Sequence, residues 1–277
     1  MAAGRAHARH YLAVLEEANA LAQPGRATVA DGLARFDAAR AAIEAGRAWA
    51  AERAATDTEA AALCADYPLA GAQVLELRLA PRRLRVWEQA GLIAARRLGD
   101  RPRARSLAIN LATRHVRAGE PVKAQPCLDA ALADARATGD RHAEAHALGR
   151  LGQVARLTGR PADAAACHEA ALALTRALGD RRGEAMNLDN LGTLALTGGD
   201  AEAALARFRE ALAVRRAHAF GRGVGFSLHN MALAHAALGD VAATRACLVE
   251  AVRARDRLGD PKAAESRAFL AELGYHL

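Results

Sequence analysis

Residues 188–212 read LDNLGTLALTGGDAEAALARFREAL. Two apolar runs at helical spacing flank the turn Gly199-Asp200. Leu191-Gly192 in the first run is followed by Gly199, then by Ala204, Phe208 and Ala211-Leu212 in the second. The same grammar recurs along the chain. Gly-Asp stands at 99–100, 139–140, 179–180 and 259–260, and Ala219-Phe220 fills the one gap in that series. A second ladder runs halfway between, at Gly119-Glu120, Gly159-Arg160, Gly199-Asp200 and Gly239-Asp240. Both step by 40 residues, so the unit is helix, turn, helix, turn.

Each mark of this punctuation has a physical reason. A glycine after a helical run can take the left-handed conformation that ends a helix. The next residue, Asp at 100, 140, 180, 200 and 240, is a good N-cap for the following helix. Pro81, Pro102, Pro121, Pro161 and Pro261 sit just inside helix starts, where a missing N–H costs nothing. The spacing predicts helix pairs at 101–118/120–138, 141–158/160–178, 181–198/200–218 and 221–238/240–258, with a single helix from 261 closing the array.

The rest of the 277 residues agrees. Ala and Arg dominate and aromatics are only 4%, a composition that enters helices at little cost. Much of the 52% apolar content is Ala, so packing must rest on close helix approach. The formal charge of +7 would suit nucleic acid or acidic partners. The arginines are interspersed with Asp and Glu, however, which favours a solvated surface over a nucleic-acid groove. No apolar run reaches the length of a membrane span, and the first residues do not form a signal peptide. The four cysteines form no CxxC, and a cytoplasmic, reduced protein is expected.

Leu-Gly, a second Gly seven residues on, then Ala, a large residue and Ala-Leu together resemble the tetratricopeptide repeat. The resemblance implies an all-α, right-handed superhelical solenoid of antiparallel helix pairs, with protein or peptide binding in its concave groove. This chain departs from the usual 34-residue form in its 40-residue step and in lacking the final proline. The expected organisation is irregular N-terminal helices at 1–56, a degenerate first pair at 57–98, four repeats at 99–258 and a capping helix at 259–277. Pro24-Gly25 should break the first helices, and Tyr67-Pro68 should kink the degenerate pair. Residues 33–50, from Leu33 through Phe36 and Ile43 to Trp49, resemble the lead-in to the repeats of bacterial STAND-type (NB-ARC) signalling ATPases. There a nucleotide-binding module precedes the array and the repeats act as sensor. No GxxxxGK[ST] occurs in this sequence, so such an NTPase module in cis would belong to a longer chain.

Candidate chemistry is sparse. Cys127, Cys167 and Cys247 share one repeat slot and read as small packing residues. His142 and His146 lie four apart on one helix without a third ligand, and read as surface histidines. Gly221-Arg222-Gly223-Val224-Gly225 is no phosphate loop, since no strand precedes it; it reads as a glycine-rich turn and the loosest joint. No catalytic constellation assembles, so neither an enzyme nor a cofactor is expected.

One series remains. In each first helix, spacings of 4 and 3 place a set of residues on one face: Ser106, Asn110, Thr113 and Arg117; His146, Arg150 and Gln153; Met186, Asn190, Thr193 and Thr197; Phe226, Asn230 and Leu233. Asp189 and His229 lie beside them. By resemblance this face lines the groove, and the slot of Asn190 contacts a bound peptide's backbone. The candidate ligand-binding residues are therefore Asn110, Thr113, Arg117, His146, Arg150, Gln153, Met186, Asp189, Asn190, Thr193, Phe226, His229 and Asn230. An Asn amide both donates and accepts, so it can serve an extended backbone without selecting a side chain. The competing reading is an inter-helix polar ladder that fixes repeat spacing. The alternatives to peptide binding are a self-assembling adaptor, giving a homo-oligomer, and the disfavoured nucleic-acid binder.

Overall fold

In the computed structural model, which describes residues 2–23 and 28–275 (of Arg222 the backbone only), every glycine of the two ladders has a positive φ. The values run from 60° at Gly259 to 88° at Gly199, where a Cβ would be strained. Five of the six ladder aspartates, all but Asp260, then accept a hydrogen bond from the N–H three residues on. Asp100 takes Arg103 N–H, Asp140 takes Ala143, Asp180 takes Gly183, Asp200 takes Ala203 and Asp240 takes Ala243. Where the ladder breaks, Ala219 keeps the left-handed turn at φ 55° and Phe220 begins the next helix without a side-chain cap.

The result is an all-α helical repeat, which divides by its contacts into residues 1–139 and 140–277. The division falls between two repeat pairs.

The first unit holds α1 (Ala2–Leu21), α2 (Val29–Arg53), α3 (Thr58–Ala70), α4 (Ala72–Arg78), α5 (Pro81–Arg97), α6 (Arg101–Arg117) and α7 (Pro121–Thr138). Its core gathers Leu15, Phe36, Ile43, Tyr67, Val74, Leu75 and Trp87. Burying each such side chain contributes roughly 1.5–3 kcal/mol. The Tyr67 hydroxyl donates to the Ala8 carbonyl at 2.8 Å in the interior, which satisfies the one polar atom that the ring brings in. At the expected kink, Tyr67-Pro68, the helix is not interrupted: α3 runs through Pro68 and stops at Gly71. A Cβ on Gly71 would lie 2.6 Å from Leu15 Cδ1, so the break sits where α1 passes closest. Asn19 of α1 then caps the restart, its Oδ1 accepting from Gln73 and Val74 N–H at 2.8 and 3.2 Å. The expected Pro24-Gly25 break lies outside the described residues.

The second unit holds α8 (Arg141–Leu157), α9 (Pro161–Leu178), α10 (Arg181–Thr197), α11 (Ala201–Ala217), α12 (Gly221–Ala237), α13 (Val241–Asp256) and α14 (Ala263–Glu272). Its first helices, α8, α10 and α12, neighbour one another in turn, and each packs on its own second helix. The residues Gly221 to Gly225 are not a loose turn. They form the first turns of α12, and their glycines make room for two arginines. A Cβ on Gly223 would overlap the Arg215 side chain, and one on Gly225 would lie 2.6 Å from Arg255 Cγ. Leu270 of α14 closes the unit against Ala232, Leu248 and Val252.

Candidate functional site

The pairing of first and second helices explains the Leu-Gly signature. In α8 the Gly152 position faces the His168 ring of α9, where a Cβ would come within 2.6 Å of Nε2. In α10 the Gly192 position faces Phe208 of α11 in the same way, at 2.6 Å from Cε1. The equivalent positions elsewhere pair Ala112 with Leu128 and Ala232 with Leu248, all four buried. Glycine thus accompanies a ring and alanine accompanies leucine. This packing turns the opposite side of α8, α10 and α12 outward.

A polar ladder does run between the helices, but from other residues than the asparagine series. His168 Nδ1 donates to Asn187 Oδ1 at 3.1 Å, and Asn187 Nδ2 donates to the Gly183 carbonyl. Burial holds the His168 pKa below the ordinary imidazole value. Asp189 is 2% exposed and accepts from Arg215 of α11 and from Ser227 of α12, the latter at 3.0 Å. Burial raises its carboxyl to about 6 against the pull of Arg215. Arg255 of α13 donates to Ser266 Oγ at 2.7 Å, and His229 Nδ1 meets the same hydroxyl at 3.0 Å. Asp189, expected to contact a ligand, therefore spends its carboxylate between helices, and His229 commits its Nδ1 there. Their slot lies one residue nearer the packed side than that of Asn190 and Asn230.

The remaining candidates of the second unit sort by position. A cleft of about 190 Å³ opens between α8 and α10, and His146, Arg150, Gln153, Met186 and Asn190 all line it. His142, Asn187 and Asp180 share its wall. His142 is exposed, as expected of a surface histidine, and also lines this cleft. Its signal was its place one turn before His146 on the same helix face. Arg150 Nη1 donates to Gln153 Oε1 at 3.4 Å. His146 is exposed at the cleft mouth, yet desolvation by the cleft wall, then the Arg150 charge, lower its pKa, so the uncharged imidazole, which can donate or accept, is favoured. The Thr193 hydroxyl bonds back to the Asp189 carbonyl at 2.9 Å, which leaves it only an acceptor for a ligand. On α12, Phe226 is exposed beside the Arg215 guanidinium, 6.0 Å from the ring centre. Asn230 is only 9% exposed, and its Nδ2 has no hydrogen-bond partner.

In the first unit, Asn110 is half-buried on α6. Thr113 bonds back to the Ile109 carbonyl at 2.9 Å. Arg117 is not a free basic contact: it pairs with Glu76, which also takes Arg114 at 3.0 Å. Among the described residues, the side chains of Asn110, Asn190 and Asn230 make no hydrogen bond within the protein, whereas their neighbours in the ladder do.

Residues 103–177 and 144–217 match the family model of the tetratricopeptide repeat. No curated protein matches the sequence. Among solved structures, BtubC (BKLC) from P. vanneervenii is similar in fold with a TM-score of 0.64 at 20% identity, over 78% of this chain and 90% of that one. Aspartyl phosphate phosphatase F from Bacillus subtilis gives 0.67 at 10% identity, over 78% and 57%. A STAND protein with a tetratricopeptide repeat sensor, from Pyrococcus horikoshii, gives 0.57 at 16% identity, over 86% of this chain and 39% of that one. The chain thus spans little more than half of the second and well under half of the third. No helix among the described residues is long and apolar enough to cross a membrane. The chain is an all-α helical-repeat protein, and its residues 103–217 match the tetratricopeptide repeat model.

Proposed function

We propose that the outward face of α8, α10 and α12 binds an extended segment of a partner protein, and that the chain is the ligand-sensing part of a STAND-type signalling assembly. Tetratricopeptide repeats are scaffolds suited to protein interaction. The observation that carries the binding site is the unpaired asparagine series. Leaving a buried amide donor unsatisfied costs about 1–3 kcal/mol, and Asn230 Nδ2 is such a donor. A peptide carbonyl would satisfy it, and Asn190 would offer the next donor and acceptor along α10. The face shades from His146, Arg150 and Gln153 on α8 to Met186 on α10 and Phe226 on α12. A segment with an acidic end and an apolar end matches that order.

Selecting a random peptide library on the protein tests the site, with affinities then measured on Asn190→Ala/Asn230→Ala. The double variant should lose at least about tenfold in affinity, the equivalent of one good hydrogen bond, with its helical circular dichroism unchanged. Selected peptides that bind the variant as tightly as the wild type would sink the reading. The sensor role is supported by the likeness to the Pyrococcus protein and by the lead-in at 33–50. It requires a ligand that favours one state of a coupled NTPase module. The selected peptide should therefore change that module's ATP hydrolysis in the longer assembly.

A further inference from the structure

A surface of the first unit remains unaccounted for. Residues 82, 86, 89 and 93 are spaced 4, 3 and 4 along α5 and so share one face. It is not the face that carries Leu84, Trp87 and Leu92 into the core. An open cleft of about 560 Å³ lies between this face and α6, lined by Arg82, Arg85, Val86, Ile93, Leu111 and His115 among others. Val86 is 59% exposed and Ile93 60%, and Val122 at the start of α7 is 73% exposed. These are the three most exposed large hydrophobics among the described residues. β-Branched residues on an exposed helix face do nothing for the helix itself. Single exposed aliphatics such as Val122 are ordinary, but Val86 and Ile93 grouped with Ala90 and Leu111 in one cleft mark an interaction surface.

The rim says what kind of partner fits. Glu120 is the carboxylate at this edge, and it already accepts from Arg85 at 2.8 Å, Lys123 at 3.0 Å and His115 at 2.9 Å. Among the described residues, Arg82 has no acidic partner. Arg82, Arg85 and Lys123 therefore stand against the one carboxylate of Glu120 beside an apolar floor. Both walls are helices whose main-chain groups are already bonded, so no edge is offered to a strand; a groove between two helices receives the side-chain ridge of a third. We infer that the α5–α6 cleft is a docking surface for an acidic amphipathic helix of a partner protein. A second copy of this chain fits it poorly, because a symmetric pairing would bring like-charged rims together. The surface lies in the other unit from the face of α8, α10 and α12 proposed to bind a peptide, and the inference does not rest on that proposal.

Two synthetic helices with the same leucine stripe, one flanked by glutamates and one by lysines, provide the probes. Each is titrated into the full chain by fluorescence anisotropy, and the protein alone is followed by sedimentation. The glutamate helix should bind about tenfold or more tighter than the lysine helix, with an advantage that shrinks as salt rises. Val86→Asp/Ile93→Asp should weaken it by about tenfold or more, while Asn190→Ala/Asn230→Ala should not. Arg82→Glu, which leaves the apolar floor intact, should narrow the preference between the two helices. Equal affinity for both helices would overturn the inference, as would indifference to the Val86 and Ile93 changes. So would a concentration-dependent dimer that Val86→Asp/Ile93→Asp dissociates.

Discussion

At the scale of single residues, two positions carry strain that other parts of the fold sustain. Ala219 holds a left-handed turn that every other ladder position gives to glycine. An L-residue with a Cβ costs roughly 1 kcal/mol there. Ala219→Gly is therefore expected to stabilise the protein by up to about 1 kcal/mol, read as a higher urea midpoint with unchanged slope. Glu88 is the other case: it is buried on α5, with Arg114 Nε 3.3 Å away and its Oε2 without a partner. Burial lifts its carboxyl to about 6 in spite of Arg114. The folded state then binds this proton more tightly than the unfolded state, so its contribution to stability grows as pH falls from about 6 towards the unfolded value and is lost as pH rises through 6. Glu88→Gln removes that dependence. The variant should gain on the wild type at pH 7 relative to pH 5, by on the order of 2 kcal/mol at most. Thermal melts of both proteins at the two pH values check the sign, and a gap that widens towards acid would contradict it.

Between elements, the governing contact is the small residue of a first helix under the large residue of its second helix. Gly192 and Phe208 are matched to within the width of a methyl group, and so are Gly152 and His168. Gly192→Ala should cost about 1–3 kcal/mol by overpacking. Phe208→Leu alone should cost a comparable amount by opening a cavity. The double variant recreates the Ala232 and Leu248 pair of the next repeat, so the two losses should compensate rather than add. A double-mutant cycle in urea measures the coupling; strict additivity would show that the pairing is not the constraint. The same scale accounts for Gly223 and Gly225, which seat Arg215 and Arg255 rather than loosen a joint.

For the whole molecule, the terminal helix carries the clearest expectation. Stacked repeats bury each face against the next, and an uncovered last face is a liability. Leu270 of α14 covers Ala232, Leu248 and Val252. Deleting 261–277 should lower the melting temperature and cause aggregation, visible by light scattering. A truncated protein that stays soluble with the same midpoint would refute this role. The distribution of charge also belongs to this scale. Arginines pair across helices, as Arg105 with Asp134 and Arg103 with Asp66 do at 2.7 Å, which disperses the +7 among solvated pairs.

The sequence by itself determined the helices and their turns, because caps and left-handed glycines act over a few residues and their signals recur at a fixed step. It also determined the helix face carrying Asn110, Asn190 and Asn230, since spacing alone assigns a face. It could not place the α3 break at Gly71, which depends on Leu15 arriving from a distant helix. Nor could it separate Asn190 from Asp189. Both are polar residues in an apolar run, and only the arrival of Arg215 and Ser227 commits Asp189 to the interior. Local chemistry fixes what a residue can offer; the tertiary structure decides which offers are already taken, because partners from other helices meet them only when the chain has packed.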